Sequence, residues 1–170
     1  TILEAEQHPD ADSLLVCKVD CGDVGEDGTT PEPRTVVAGL AGLIPIEELV
    51  GAKIVAVTNL KPSKMRGIES SAMLLAATDG KEEGETVELL KVPTDVPNGE
   101  LLNVEGKDPT DPDPMMKSKG ALKAFDRVKA ALRANADGEA TWVAEDGTAC
   151  RLLTSAGPVK PKSLKDANIS

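Results

Sequence analysis

The stretch NLKPSKMRGIESSAM, residues 59–73, holds three basic side chains within six positions: Lys61, Lys64 and Arg66. Ammonium and guanidinium groups in one loop can bind an anionic ligand, lysine as a point charge and arginine as a planar fork. A short cluster of charges is also typical of a solvated β-hairpin that binds nothing. The residue types therefore leave two interpretations open, an anion-binding loop and a solvated hairpin.

Two apolar runs flank this stretch, KIVAVT at residues 53–58 and AMLLAAT at residues 72–78. Apolar runs of this length, bounded by turn residues, predict β-strands, so we expect the basic loop to lie between two strands. Pro62 and Gly67 shape the loop. We expect Gly67 to adopt a positive φ or to allow a close approach to the backbone.

The distribution of charge favours an anionic ligand. The chain as a whole is acidic, with 19 basic and 29 acidic residues and a formal net charge of −10. Residues 51–76, however, carry four basic residues against one acidic residue, and residues 115–170 carry ten against six. Because the local field guides an approaching anion, the net charge does not exclude a partner such as a nucleic acid.

Aromatic side chains are nearly absent, since Phe125 and Trp142 are the only two. The core is therefore expected to be aliphatic, and few platforms exist for base stacking, the usual mode of binding single strands. This favours recognition of a folded RNA through its backbone and shape. The three basic side chains would then bind phosphates. Asn59 either bonds a sugar hydroxyl or a base edge, or is a turn residue that closes the strand.

The sequence contains no pattern typical of catalysis. It lacks the glycine-rich phosphate-binding motifs, and no Ser or Cys nucleophile lies near a second histidine. His8, Asp10 and Asp12 could suggest catalysis or metal binding, but a single histidine without a partner favours a structural turn. We therefore expect no enzyme activity, no metal and no cofactor.

The cysteines and the hydropathy pattern predict the cellular setting. Cys17, Cys21 and Cys150 match no zinc spacing, and we interpret them as free thiols in a reducing compartment, which indicates the cytoplasm. No apolar run reaches the length of about eighteen residues needed for a membrane span, and no secretion signal is recognisable. Because the chain starts at Thr1 and enters a strand at once, we interpret it as part of a longer protein.

The pattern of apolar runs and turn residues predicts a small closed β-barrel. The predicted strands are Ile2–Glu6, Leu14–Val19, Arg34–Ala38, Lys53–Thr58, Ser71–Thr78 and Val87–Val92. A long acidic loop at residues 20–33 separates the second strand from the third, and a helical turn at Ile46–Val50 precedes the fourth. Five or six short strands with such a turn predict a Greek-key barrel of the oligonucleotide-binding (OB) type. The predicted fold class is mainly β, an OB-fold barrel with a small α+β C-terminal extension.

A segment rich in Pro, Gly and Asp, residues 94–114, divides the chain. We place the domain boundary within it, with the barrel at residues 1–107 and the extension at residues 108–170. In the extension, Asp113 is the predicted N-cap, with Pro114 at the first position of a helix that continues to about Ala134.

The predicted helix has an apolar stripe and a basic face, and a predicted hairpin follows it. The basic face is either solvated or binds RNA, and it comprises Lys119, Lys123, Arg127 and Arg133. The hairpin consists of Ala140–Ala144 and Thr148–Leu153, joined across Asp146-Gly147. A basic tail at Pro158–Lys165 ends the module.

Three blocks of the chain, in this order and spacing, resemble a known family: HPDADSLLVCKVDCGD at residues 8–23, RTVVAGL at residues 34–40, and NLKPSKMRGIESSAM. The family is the tRNA-binding domain of the endothelial monocyte-activating polypeptide II type. It includes tRNA-binding cofactors of eukaryotic synthetase complexes and domains appended to tyrosyl- and methionyl-tRNA synthetases. The resemblance covers essentially the whole chain, more loosely in the C-terminal third. It implies an OB-fold and a non-catalytic domain that assists an aminoacyl-tRNA synthetase by binding tRNA with little selectivity.

The resemblance also implies that Ser70 and Met73 face the RNA. The predicted tRNA-binding residues are then Asn59, Lys61, Lys64, Met65, Arg66, Gly67, Ser70 and Met73. The candidate auxiliary contacts, from the basic face of the predicted helix, are Lys119, Lys123 and Arg127. Residues three apart in a regular strand face opposite ways, so either the strand bulges or it starts after Ser70. For Met73, a position in the core is the alternative interpretation.

Two other functions remain open at this stage. One is a protein-interaction module of a multi-synthetase complex with vestigial RNA binding, an interpretation that the acidic net charge supports. The other is a cytokine-like fragment, which no feature of the sequence supports. The resemblance further implies that the extension covers the surface through which free-standing barrels of the family pair, forming a pseudo-dimer. The chain is therefore expected to be a monomer, with tRNA and a synthetase or synthetase complex as partners.

Overall fold

The computed structural model describes residues 1–170 and consists mainly of β-strands, so the predicted fold class, mainly β, is confirmed. Fifteen short strands and two helices follow one another along the chain. The strands are β1 Ile2–Gln7, β2 Leu15–Val19, β3 Arg34–Ala38, β4 Ala56–Val57, β5 Ser63–Met65, β6 Ile68–Ser70, β7 Met73–Leu74, β8 Ala76–Thr78, β9 Val87–Leu89, β10 Asn103–Val104, β11 Leu132–Ala134, β12 Ala140–Val143, β13 Ala149–Thr154, β14 Gly157–Pro158 and β15 Asn168–Ile169. The helices are α1 Ile46–Leu49 and α2 Lys119–Ala130, and neither has the length and apolar character that a membrane crossing requires.

The N-terminal strands form a ring of backbone hydrogen bonds. Strands β1, β2 and β3 make an antiparallel meander. The Ser71 amide donates to the carbonyl of Thr35 in β3 at 3.0 Å, and β7 pairs with β4. The ring returns to β1 where the Gly51 amide donates to the carbonyl of Ile2 at 2.8 Å. The assignment of this ring to the OB type stays a prediction.

The ring encloses an aliphatic core, as the near-absence of aromatic residues predicted. Its buried members are Ile2, Leu15, Cys17, Val19, Val36, Leu40, Leu49, Ala72, Leu74 and Leu89. Strand β2 contributes Leu15, Cys17 and Val19 to this core, and Lys18 is its only exposed residue. The three cysteines are free thiols, and burial raises the pKa of Cys17 and of Cys21.

The chain from β7 to β8 is buried on both faces, and its second face belongs to another core. Leu74 lies in the core of the ring, whereas Leu75 and Ala77 lie in a second cluster with Leu132 and Leu152 of the C-terminal part. One continuous sheet also joins the N-terminal and C-terminal parts, with the strand order β10-β13-β12-β11-β15-β8-β9. Residues on both sides of the 107/108 boundary thus share one sheet and one apolar cluster.

The helix predicted from Asp113 to about Ala134 is shorter at both ends. Met116 is buried, its amide donates to the carbonyl of Asn59 at 2.8 Å, and it forms a parallel bridge with Leu60, so this segment is extended. Helix α2 starts after Ser118, whose hydroxyl accepts a hydrogen bond from the Ala121 amide at 3.0 Å and acts as the N-cap. The prediction of Asp113 as N-cap is therefore wrong.

The end of the predicted helix is a strand instead. Leu132–Ala134, or β11, alternates between buried and exposed side chains and pairs with both β12 and β15. The exposed Arg133 lies on this strand, where its guanidinium donates to the side chain of Asn168 at 2.9 Å. The predicted apolar stripe of the helix is also only partly covered, since α2 has no fully buried residue.

Several predicted strands are correct in place but too long. The run Ser71–Thr78 divides into β7 and β8, and the run Lys53–Thr58 contains only β4 and an isolated bridge at Ile54. Conversely, the segment predicted as a linker contains β10, which pairs with β13 and is held there by a bidentate contact of Arg151 with Glu105. Pairing between distant segments decides these boundaries, and apolar periodicity does not report it.

Removing the C-terminal strands should expose the outer face of β8. We predict that the fragment 1–111 associates or aggregates, because Leu75, Ala77 and Leu90 lose their apolar partners and β8 loses its pairing with β15. Light scattering on the fragment and on the full chain at equal concentration measures this. A monomeric, cooperatively folded fragment 1–111 would show that the barrel does not need this cover.

Candidate nucleic-acid interface

The basic stretch folds as a two-stranded hairpin. Strand β5 pairs with β6 in the register Ser63–Ser70, Lys64–Glu69 and Met65–Ile68. Arg66 and Gly67 form the connection, with φ values of 50° and 92°. Two consecutive positive φ values are typical of a type I′ turn, whose twist matches that of the strands, and they agree with the positive φ expected of Gly67. No atom lies near the position that a Cβ of Gly67 would occupy, so this turn faces open space.

The two faces of the hairpin differ in character. Lys64 and Glu69 lie opposite each other, and both are exposed. Met65 and Ile68 belong to the other face and are half-buried, as the alternation of strand side chains requires. Lys61 is also exposed, just before β5. The hairpin therefore keeps its apolar face partly covered and directs its charges toward solvent.

The three basic side chains of the stretch have no acidic partner. The six ion pairs of the chain involve Arg34, Lys81, Arg151, Lys160 and Lys162 as the basic members. Lys61, Lys64 and Arg66 form none, although Glu69 faces Lys64 across the hairpin. Their charges are thus available to an anionic ligand such as a phosphate.

The guanidinium group of Arg34 fixes the base of the hairpin. Its Nη1 donates to the carbonyl oxygens of Thr58 at 2.6 Å and of Ser71 at 3.1 Å. Thr58 directly precedes the stretch, and Ser71 directly follows β6. Its Nε and Nη2 donate to the carboxylate of Asp23 at 2.5 Å and 3.0 Å. One side chain therefore binds both stems and the acidic loop 20–33.

Sequence reasoning missed the role of Arg34 and Asp23. The hydrogen bonds from Arg34 hold the pKa of the Asp23 carboxyl below its usual value of 3.8, and the same contact raises the pKa of the guanidinium. The arginine lies in one of the blocks that carry the family resemblance, but its partners come from three separate places in the chain. Only the fold brings these partners together.

Ser70 and Met73 lie at the junction between the hairpin and the barrel. Ser70 is buried, with 7% of its surface exposed, and its hydroxyl accepts from the Val37 amide at 3.0 Å and donates to the Ala72 carbonyl at 3.1 Å. Met73 is half-buried and packs with Val57 against the second cluster. Because β6 ends at Ser70 and β7 begins at Met73, the two residues belong to different strands. The strand therefore starts after Ser70, which was the second of the two alternatives.

Asn59 connects the stretch to the C-terminal extension. Its side-chain amide donates to the carbonyl of Asp113 at 2.9 Å, and its own carbonyl accepts from the amide of Met116. The segment that leads into α2 is thereby held beside the first residues of the basic stretch. The auxiliary residues Lys119, Lys123 and Arg127 follow on α2, where all three are exposed and none forms an ion pair.

Comparison with known proteins identifies the class to which this fold and this surface belong. Residues 1–101 match the family model described as "Putative tRNA binding domain", and the chain belongs to this family. The resemblance inferred from the three sequence blocks is thereby confirmed.

Individual relatives are similar over nearly the whole chain. The chain is 40% identical over 169 residues to the cytoplasmic tyrosine–tRNA ligase of Gallus gallus, a match that covers 99% of this chain and 29% of the ligase. It is 36% identical over 141 residues to the aminoacyl tRNA synthase complex-interacting multifunctional protein 1 of Mus musculus, covering 83% of this chain and 41% of that protein. The chain thus spans less than a third of the length of the tyrosine ligases that it matches.

A solved structure extends the similarity to the fold. The C-terminal domain of Plasmodium vivax p43 superposes with a TM-score of 0.83 at 27% identity, covering 99% of this chain and 92% of that domain. The comparison includes the C-terminal extension, where the sequence blocks that carry the resemblance are absent.

The contact between Arg34 and Asp23 predicts a specific dependence of stability on pH. Because the folded pKa of Asp23 is depressed, its contribution is complete above the unfolded value of 3.8 and is lost as the pH falls through the folded value. We predict that Asp23→Asn lowers the free energy of unfolding at pH 7 by about 1 kcal/mol, since the pair is partly exposed. Urea unfolding should show this difference shrinking below pH 3.8.

The matched control for this measurement is Asp12→Asn, at an exposed carboxylate outside the six ion pairs. It should change the stability little at either pH. An Asp23→Asn variant as stable as the parent chain at pH 7 would show that Arg34 holds the hairpin stems without Asp23.

Proposed function

We propose that this chain is a non-catalytic domain that binds tRNA and assists an aminoacyl-tRNA synthetase. One observation carries the proposal: Lys61, Lys64 and Arg66 extend without acidic partners from an exposed hairpin that is fixed to the barrel at its base. Membership in the tRNA-binding family and the similarity to a tyrosine–tRNA ligase support the choice of ligand and of partner.

The surface favours contact with the RNA backbone over base stacking. The hairpin presents ammonium and guanidinium groups and no aromatic ring, and Phe125 and Trp142 both lie in the C-terminal part. Lysine and arginine neutralise phosphates without reading sequence. The ligand is therefore recognised by the spacing of its phosphates, which a folded RNA fixes and a flexible strand does not.

The predicted contact residues have different parts in this proposal. Lys61, Lys64, Arg66 and the turn at Gly67 meet the RNA. Ser70 is buried and supports the hairpin from below, so its hydroxyl reaches no ligand.

Three further residues have supporting parts. Met65 and Met73 are half-buried and pack under the contact surface, and the side chain of Asn59 holds the extension. The exposed basic residues of α2 add an auxiliary surface on the segment that Asn59 anchors.

The partner and the cellular compartment follow from the similarity to known proteins. The relatives are a cytoplasmic ligase and a protein named for its interaction with the synthetase complex, so the partner is a synthetase or such a complex and the compartment is the cytoplasm. The barrel face that would otherwise be open is covered by the chain's own C-terminal strands, which favours a monomer in an OB-type pseudo-dimer arrangement.

Removing single charges should weaken tRNA binding in a salt-dependent way. We predict that Lys64→Ala and Arg66→Asn each reduce the affinity for tRNA and each lower the slope of log affinity against log salt by about one unit. Asparagine is chosen at position 66 because it accepts the positive φ of the type I′ turn, so the hairpin is retained while the charge is lost. Fluorescence titration of labelled tRNA over a salt series measures both quantities.

The matched control for the charge variants is Lys165→Ala. The side chain of Lys165 lies against the turn at Gly138, between β11 and β12, and should not contribute to the slope. Wild-type affinity and slope in both hairpin variants would identify the stretch as a solvated hairpin and overturn the proposal.

Binding should also require folded RNA. We predict that intact tRNA competes better than an unstructured oligonucleotide of equal length, because the surface lacks stacking platforms. A competition titration at one salt concentration compares the two ligands directly. Equal competition would leave only non-specific electrostatic attraction and would contradict recognition by shape.

A further inference from the structure

His8 is the single histidine of the chain, and only 2% of its surface is exposed. Its ring lies between two backbone groups. The Asp10 amide donates a hydrogen bond to Nδ1 at 3.0 Å, and Nε2 lies 3.2 Å from the carbonyl oxygen of Met65. Because Nδ1 accepts a hydrogen bond, the neutral ring carries its proton on Nε2. Nε2 therefore donates to the Met65 carbonyl.

The turn that carries His8 is itself firmly held. The His8 amide donates to the carbonyl of Leu14 at 3.0 Å, which closes the turn between β1 and β2. The side-chain amide of Gln7 donates to three carbonyls of the same turn, those of Ala11, Asp12 and Leu14, at 3.0 to 3.1 Å. The imidazole thus extends from a part of the barrel that cannot easily shift.

The carbonyl that His8 holds lies next to the charged turn of the hairpin. Met65 ends β5 and directly precedes Arg66. Strands β5 and β6 pair only with each other, and a two-stranded hairpin by itself is marginally stable in water. Arg34 and Ser70 fix its base, whereas the bond from His8 fixes its tip.

We infer that His8 is a positioning residue of the RNA-binding surface. Its Nε2–H group holds the Met65 carbonyl against the barrel, so that the side chains of Lys64 and Arg66 start from a fixed backbone. A hairpin that is held at both ends loses little conformational entropy when it binds phosphates. This pre-organisation raises the affinity. This inference rests on the proposed function, because it concerns the same surface.

Two substitutions separate the two hydrogen bonds of the ring. In His8→Gln the amide nitrogen reaches about as far as Nε2 and keeps a donor for Met65. In His8→Asn the amide oxygen lies near the place of Nδ1 and keeps an acceptor for the Asp10 amide, but nothing reaches Met65. We expect His8→Asn to bind tRNA about three- to tenfold more weakly, the effect of losing one hydrogen bond, and His8→Gln to retain most of the affinity.

The salt dependence distinguishes positioning from direct contact. His8 carries no charge to a phosphate, so the log–log salt slope of His8→Asn should equal that of the parent chain, whereas Lys64→Ala lowers it by about one unit. Melting temperatures of both His8 variants are measured in parallel. An affinity loss shared equally by the two variants, in proportion to their loss of stability, would show a merely structural histidine and would overturn the inference.

A spectroscopic measurement on the unmutated protein keeps the inference testable even where a variant fails to fold. Because the chain has one histidine, a ¹H–¹⁵N spectrum of histidine-labelled protein reports on His8 alone. We expect a protonated Nε2 and an unprotonated Nδ1 at neutral pH, in the free protein and in the tRNA complex. An unprotonated Nε2 in either state would rule out the hydrogen bond to the Met65 carbonyl.

The outcomes also separate this inference from the proposed function. If the parent chain binds tRNA and Lys64→Ala weakens it, while His8→Asn binds like the parent, only the positioning role is overturned. If the parent chain does not bind tRNA, the proposed function fails and the inference fails with it.

Discussion

The guanidinium group of Arg34 is the contact on which the rest of the candidate surface depends. Four hydrogen bonds connect it to Thr58, Ser71 and Asp23, and so to both stems of the hairpin and to the acidic loop. Only an arginine has donors enough, in a planar arrangement, to serve these acceptors at once. Asp23 neutralises this charge at the base, so that the three unpaired charges of the stretch lie farther out, where a ligand can reach them.

This separation explains how an acidic chain can bind a polyanion. Net charge governs long-range repulsion, which salt screens within about 8 Å at physiological ionic strength. At shorter range the field is that of the nearest groups, and the hairpin contributes Lys61, Lys64 and Arg66 against Glu69 alone. An acidic surface elsewhere also disfavours non-specific binding of RNA, since the positive charge is concentrated in residues 51–76 and 115–170.

Local patterns predicted the elements that local physics determines. The strand predicted at Arg34–Ala38 matches β3 residue for residue, and the charged stretch lies between β4 and β7, as its flanking apolar runs predicted. The start of α2 was wrong because Met116 pairs with Asn59, more than fifty residues away, and Leu132–Ala134 is a strand because β12 and β15 lie beside it. The role of Arg34 could not be predicted for the same reason, since its hydrogen-bond acceptors come together only in the folded chain.

The contacts around the hairpin also connect it mechanically to the segment before α2 and to the second apolar cluster. Asn59 bonds to the segment before α2, Met73 packs against the second cluster, and that cluster contains Leu132 and Leu152 of the C-terminal part. A displacement of the C-terminal extension therefore acts on both ends of the stretch, through Asn59 and the segment before α2 on one side and through Met73 and the second cluster on the other. A charged surface recognises phosphates only when its groups keep their spacing. In the proposed function the extension therefore contributes by holding the stems, even where its own basic residues touch no RNA.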